Sequence, residues 1–195
     1  MSQVSTTTSS PRRRVAMTWV VWITAVIAYG FAVMQRTSLG VMGLTAAAHF
    51  NAPASVVATF MVLQLAVYAV LQIPAGITVD RLGSRVVITA GSIVMTVGQV
   101  VMALTGSAGG AVLARVLVGC GDAFIFGAAI RLVPAWFPPK QTPLVTQLTG
   151  LLGQSGQVIS AVGLVAMVNS SGWRSTYLLA AGGAAVAAAL AFLSL

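Results

Sequence analysis

Two charged residues, Arg115 and Asp122, lie seven positions apart inside one long apolar stretch. Seven residues turn an α-helix through about 700°, so both side chains lie on the same side of it. The rise between them is about 10 Å, so they can line one water-filled cavity without readily touching. If the stretch crosses a membrane, each charge costs on the order of 2.5 to 3.5 kcal/mol at its centre, which argues against a lipid-facing position.

Other polar residues within the apolar stretches can complete such a site. A third charge, Arg36, lies near the end of the first stretch. The uncharged candidates are Gln64, Tyr68, Gln147, Gln154 and Gln157. Side-chain amides of this kind can bind a solute or join one helix to another, and the sequence leaves both roles open.

The composition indicates that these residues belong to a membrane protein. Hydrophobic residues make up 58% of the chain and charged residues 6%, with a mean hydropathy of +0.98, whereas a soluble domain has about 25% charged residues. The net charge of +8 comes from basic residues that lie far apart, which argues against nucleic-acid binding. The chain has one cysteine, Cys120, no paired Cys and His ligands for a metal, and no phosphate-cradling loop for ATP.

Six apolar stretches follow a polar tail, and each approaches or exceeds the roughly 20 residues that span a bilayer. Residues 1–14 are predicted to be a disordered cytoplasmic tail and residues 15–195 a six-helix transmembrane bundle. The arginines before the first stretch also fit a signal peptide, but that stretch is too long for a signal core. The predicted spans are 15–39, 56–79, 86–104, 111–136, 144–168 and 177–195.

Most of the basic residues fall on one side of the membrane if the spans alternate in direction. That side holds Arg12, Arg13, Arg14, Arg81, Arg85 and Lys140, and the other side holds Arg174. Because Lys and Arg near helix ends are retained in the cytoplasm, both ends of the chain are predicted to be cytoplasmic. The expected location is the cell (plasma) membrane.

The connection between the second and third spans carries the most specific motif. It reads Gly76-Ile77-Thr78-Val79-Asp80-Arg81-Leu82-Gly83-Ser84-Arg85 and resembles the Gly-xxx-Asp-Arg-x-Gly-x-Arg loop of the major facilitator superfamily. The two glycines allow a tight turn and close helix contact. The resemblance implies a gating latch formed by Asp80, Arg81 and Arg85, and the alternative is a charged turn that obeys the positive-inside rule.

A second segment strengthens the resemblance and adds roles for the buried charges. Residues 115–121 resemble the family's Arg-xxx-Gly-x-Gly segment, and Trp136-Phe137-Pro138 resembles an ending common in its anion:cation symporters. In the same group an arginine followed shortly by Leu-Gly is common in the first helix, as at Arg36. The resemblance implies that Arg36 and Arg115 attract an anionic substrate and that Asp122 is the proton-coupling residue.

Each of these roles has a structural alternative. Arg36 can extend its side chain to the membrane interface, and Arg115 can hold the fourth helix to backbone carbonyls. Asp122 can then be the hydrogen-bond partner of Arg115. Arg131 is nine residues beyond Asp122, which points it to nearly the opposite face and to the cytoplasmic end of the helix.

The predicted fold is an all-α membrane protein with six transmembrane helices, the N-terminal half of a major facilitator fold. Such transporters hold the substrate between two halves, so a C-terminal six-helix half is expected on the same longer chain or on a partner subunit. The expected function is secondary transport of a small anion with proton or ion coupling, without catalysis or a cofactor. The alternatives are a truncated or non-transporting membrane subunit and a drug or metabolite efflux antiporter, which usually carries a Gly-Pro pair absent from residues 150–156.

Overall fold

The computed structural model describes the backbone of residues 11–195 and the side chains from Val15 onwards. The predicted disorder of the tail falls mainly on residues 1–10, which lie outside the described residues. Helix α1 begins at Pro11, four residues before the first predicted span. The elements are α1 (Pro11–Val41), α2 (Gly43–His49), α3 (Ala54–Leu104), α4 (Ala108–Trp136), α5 (Thr142–Ile159), a π-helical turn (Ser160–Leu164) and α6 (Val165–Ser194).

The described residues form helices that are long and apolar enough to cross a membrane, which confirms the prediction of an all-α membrane protein. Four continuous stretches meet that description: Val15–Val41, Ala54–Leu104, Ala108–Trp136 and Thr142–Ser194. The predicted count of six spans is not confirmed, because two pairs of predicted spans are continuous in the structure. Helix α3 has 51 residues, which is about 76 Å of helix against roughly 30 Å of hydrocarbon.

Both long stretches are interrupted at a glycine with a non-helical backbone. Gly83 in α3 has φ 79° and ψ 159°, and Gly172 in α6 has φ 79° and ψ 174°. A residue with a Cβ rarely adopts such a positive φ, and nothing lies within 4 Å of the Cβ position at either glycine. The requirement for glycine is therefore conformational. The two breaks fall between the predicted spans, Gly83 between 56–79 and 86–104 and Gly172 between 144–168 and 177–195.

Glycines bring helices α1 and α5 into direct backbone contact. A Cβ added to Gly156 would overlap the carbonyl oxygen of Gly30 and lie 3.0 Å from the backbone nitrogen of Met34. A Cβ added to Gly153 would overlap the ring of Tyr29. In lipid there is little hydrophobic drive between helices, so this close approach supplies the packing. The contact also fixes the rotation of α5 relative to α1, and with it the positions of Gln154 and Gln157.

We expect Gly156→Ala to destabilise the protein in detergent by about 1–3 kcal/mol, because the added methyl group must push two backbones apart. The measurement is the free energy of unfolding in an SDS titration. Gly150→Ala is the matched control on the same helix, since nothing lies within 4 Å of its Cβ position. The control is expected to be neutral or more stable by up to about 1 kcal/mol, the helix preference of alanine over glycine. Equal losses for both variants would show that this contact does not hold α1 to α5.

Candidate functional site

Arg36 of helix α1 and Asp122 of helix α4 form an ion pair inside the bundle. Arg36 Nη1 donates to Asp122 Oδ2 at 3.0 Å, and the side chain of Asp122 is fully buried while that of Arg36 is 16% exposed. The Arg36 side chain therefore points into the protein, whereas the alternative interpretation placed it at the membrane interface. The carboxylate pairs with an arginine on another helix, whereas the sequence suggested Arg115 as its partner.

Arg115 is completely buried and joins three helices. Its Nη1 donates to the Gln35 carbonyl at 3.3 Å, to Ser38 Oγ at 3.3 Å and to Gln64 Oε1 at 3.4 Å. Its Nε and Nη2 have no hydrogen-bond partner among the described residues. One of the three acceptors is a backbone carbonyl, which is the kind of contact expected in the structural alternative for Arg115.

Two tyrosines and two amides surround Arg36. The guanidinium carbon of Arg36 lies 5.4 Å from the centre of the Tyr68 ring, within the range of a cation–π contact. Gln64 Nε2 donates to the Arg36 carbonyl at 3.3 Å, and Gln154 Nε2 donates to the Tyr29 hydroxyl at 3.3 Å. Tyr29 was not predicted as a site residue, although it lies seven residues before Arg36 and therefore on the same helix face.

A cavity of about 380 Å³ opens beside the Arg36 side chain. We call it the arginine cavity; its walls come from α1, α3, α5 and the π-helical turn, and include Arg36, Thr37, Gly40, Met61, Gln64, Gln157 and Ala161. It brings together three predicted substrate-binding residues: Arg36, Gln64 and Gln157. Arg115 and Asp122 do not line it, and Tyr68, Gln147 and Gln154 are also absent from its walls.

The predicted gating loop is tied to α4 and α6 at the break in α3. Asp80 forms an ion pair with Arg131, and a Cβ on Gly76 would lie 3.6 Å from the Arg131 guanidinium. Ser84 donates to the Ala128 carbonyl at 3.1 Å. Arg85 lies 4.8 Å above the ring of Phe192, whereas Arg81 is exposed.

The pairing of Asp80 with Arg131 was not predicted from the sequence, although the sequence singled out both residues. Asp80 was predicted to belong to the gating latch, and Arg131 was placed at the same end of the bundle. Both side chains are about half exposed, so water screens this pair in a way that it cannot screen Arg36 and Asp122. Among the described residues no group of three or more His, Cys, Asp or Glu side chains lies close enough to hold a metal ion.

Residues 21–195 match the family model described as Major Facilitator Superfamily. The chain is 24% identical over 159 residues to a probable L-galactonate transporter of Escherichia coli K12, covering 82% of this chain and 34% of that protein. It is 26% identical over 112 residues to a probable sulfoacetate transporter of Cupriavidus necator, covering 57% of this chain and 26% of that protein. A hexuronate transporter of Escherichia coli K12 is 26% identical over 114 residues, with 58% and 26% covered.

Solved structures show the same arrangement of helices. A POT family transporter in complex with a thioalcohol-conjugated peptide superposes with a TM-score of 0.72 at 17% identity, covering 91% of this chain and 37% of that one. An inward-facing, occupied bacterial homologue of the lysosomal transporter Spinster gives 0.70 at 18% identity, covering 96% and 45%. The chain thus matches well under two thirds of the length of the proteins that it is similar to, and the likeness to these structures concerns the fold.

Proposed function

The chain belongs to the Major Facilitator Superfamily, and from that premise we propose that it is part of a secondary active transporter for a small organic or inorganic anion, coupled to protons or another ion. The observation that carries the proposal is the Arg36–Asp122 pair beside the arginine cavity. The relatives with curated names are transporters of anionic solutes by those names: L-galactonate, sulfoacetate and hexuronate. The names of these relatives agree with a role in transport rather than in catalysis.

The breaks at Gly83 and Gly172 support six crossings, arranged as the N-terminal half of the fold. Each break divides a stretch that is too long for one crossing into two helical segments, and in this proposal each segment crosses the membrane once. With six crossings both ends of the described chain lie on one side, and the positive-inside rule makes that side the cytoplasm. We propose the cell membrane as its location, and a second six-helix half, on the same polypeptide or a partner subunit, as its partner.

The balance of charge favours an anionic substrate. Arg36 and Arg115 carry two positive charges at the centre of the bundle, and Asp122 carries one negative charge, so one positive charge is left uncompensated. Arg36 is the cation that reaches the arginine cavity. A carboxylate or sulfonate can bind its guanidinium with two hydrogen bonds. Gln64 and Gln157 line the same cavity, and the Tyr68 ring packs against the guanidinium.

Proton coupling follows from competition for Arg36. When a substrate anion binds the guanidinium, the fully buried Asp122 loses its partner, and an unpaired buried carboxylate is costly. Taking up a proton removes that cost, so binding of the anion favours protonation of Asp122. When the anion leaves, Arg36 returns to Asp122 and the proton is released.

Arg115 and the loop at Gly83 have supporting roles in this proposal. Arg115 keeps α1 and α4 in register, so that Arg36 faces Asp122. Asp80 and Arg131, with Gly76 beside them, form a latch at the cytoplasmic end that holds α3 to α4 in one conformation of the transporter. Arg85 extends that latch to α6 through Phe192, and Arg81 remains available to contact the second half.

We expect proteoliposomes to accumulate galactonate, a hexuronate or sulfoacetate when the outside is acidic. The liposomes would hold the chain alone or joined to the polypeptide encoded directly downstream of it. Asp122→Asn is expected to abolish accumulation driven by the pH gradient and to keep exchange of labelled for unlabelled anion, because Arg36 remains.

The matched control is Asp122→Glu, which keeps the carboxylate and should retain accumulation. An Asp122→Asn protein that still accumulates the anion against its gradient would contradict proton coupling. Absence of uptake of all three anions by both assemblies would contradict the proposal and support the alternatives, a non-transporting membrane subunit or an efflux antiporter.

A further inference from the structure

A second cavity lies beside the arginine cavity, toward the end of the bundle that carries helix α2. It has a volume of about 500 Å³, and Leu44, Thr45, Ala54 and Asn169 are among the residues of its walls. We call it the α2-side cavity. Its polar groups at Thr45 and Asn169 suit it to hold water, as a path for a hydrated solute requires.

The two cavities share three residues: Gly40, Val41 and Met61. Gly40 and Val41 are the last residues of α1 at this end, and Met61 lies in α3 opposite them. A Cβ on Gly40 would lie 3.1 Å from Cε of Met61, so the methyl end of the methionine lies against bare backbone. A side chain at position 40 would therefore press on the tip of Met61 and displace it slightly.

Methionine suits a movable barrier better than the other apolar residues. Its side chain is unbranched, with three rotatable bonds, so its tip can leave the Gly40 backbone without any shift of α1 or α3. Met61 is only partly buried, which leaves room for another rotamer. A β-branched side chain at this position would have fewer rotamers to choose from, because its χ1 angle is restricted.

We propose that Met61 is a gate between the two cavities, that Gly40 is the seat against which it closes, and that the α2-side cavity is the access route to Arg36. The inference rests on the proposed function, because the arginine cavity is taken as the substrate site and the α2 end as the outer end. It adds two residues that control access and do not bind the anion.

The test measures how fast a cysteine in the arginine cavity reacts with a reagent supplied from the α2 side. The single Cys120 is first replaced by serine, and Thr37→Cys, one turn from Gly40, is the reporter. An impermeant anionic methanethiosulfonate is added to that side of proteoliposomes. We expect Met61→Ala to raise the labelling rate at least threefold and Gly40→Leu to lower it at least tenfold, whereas Met61→Leu, of similar volume, should not raise it.

The matched control is Leu44→Cys, which is 85% exposed on α2 and lies before the barrier. Its labelling rate should stay within twofold in every background, and a parallel change there would overturn the inference by showing a general rearrangement. A Thr37→Cys rate that does not respond to Met61→Ala or to Gly40→Leu would overturn it as well. Labelling needs no substrate, so the expected rates together with absent anion uptake would reject the proposed function and keep the access route.

Discussion

Replacing Arg36 by alanine should lower the free energy of unfolding by about 3–5 kcal/mol, because it leaves a buried charge without its partner. Asp122 has no exposure, and Arg36 is its hydrogen-bond partner through Oδ2, while Oδ1 has none among the described residues. Adding Asp122→Asn to the alanine variant removes the stranded charge. The double variant is therefore expected to recover more than half of the loss.

The chain contains its own control for this double-mutant cycle. Asp80 and Arg131 form the other ion pair of the described residues, with side chains 57% and 46% exposed. Water screens that pair, so its coupling free energy is expected to be about 0–1 kcal/mol. The measurement is unfolding by SDS titration of the four variants of each pair. Equal coupling in the two cycles would contradict the buried environment assigned to Asp122.

The lengths and ends of the apolar stretches were predictable because hydropathy is a local property of the sequence. Helix α4, predicted at 111–136, runs from Ala108 to Trp136, and its start is marked by Ser107, whose side chain accepts a hydrogen bond from the Gly110 amide. The positions of the breaks were also predictable, since Gly83 and Gly172 stand among polar residues. The count of six separate helices is not confirmed, because Gly83 and Gly172 are the only residues with a non-helical backbone inside α3 and α6, where the sequence predicted connections of several residues.

The partners of the charged residues could not be predicted from the same local information. Helical spacing showed that Arg115 and Asp122 share a face of α4, which made each a candidate hydrogen-bond partner of the other. The actual partner, Arg36, is 86 residues away along the chain, and the packing of α1 against α4 brings the two side chains together. That packing depends on the rotation of both helices about their axes, which the sequence of either helix alone does not determine. The pairing of Asp80 with Arg131 across α3 and α4 escaped prediction for the same reason.

The second large effect is expected from Arg115→Ala, with a loss of about 3–5 kcal/mol in the free energy of unfolding. The substitution empties a buried volume and leaves the Gln35 carbonyl, Ser38 and Gln64 without their common donor. Arg115→Lys keeps the charge but presents a single ammonium group in place of a planar fork. We therefore expect it to recover part of the loss, and Arg174→Ala, at an exposed arginine, to leave the stability unchanged.

The same variants separate the two roles of Arg115. If Arg115 only positions Arg36, Arg115→Lys should weaken anion binding in proportion to the stability that it loses, and lower temperature should restore both. If Arg115 holds the anion itself, binding should be lost in the lysine variant even where the protein is fully folded. The measurement is the protection by galactonate of Thr37→Cys against methanethiosulfonate, at temperatures below the melting transition of each variant. Because Arg115 lies outside the arginine cavity and contacts α1 through Gln35 and Ser38, the first result is the expected one.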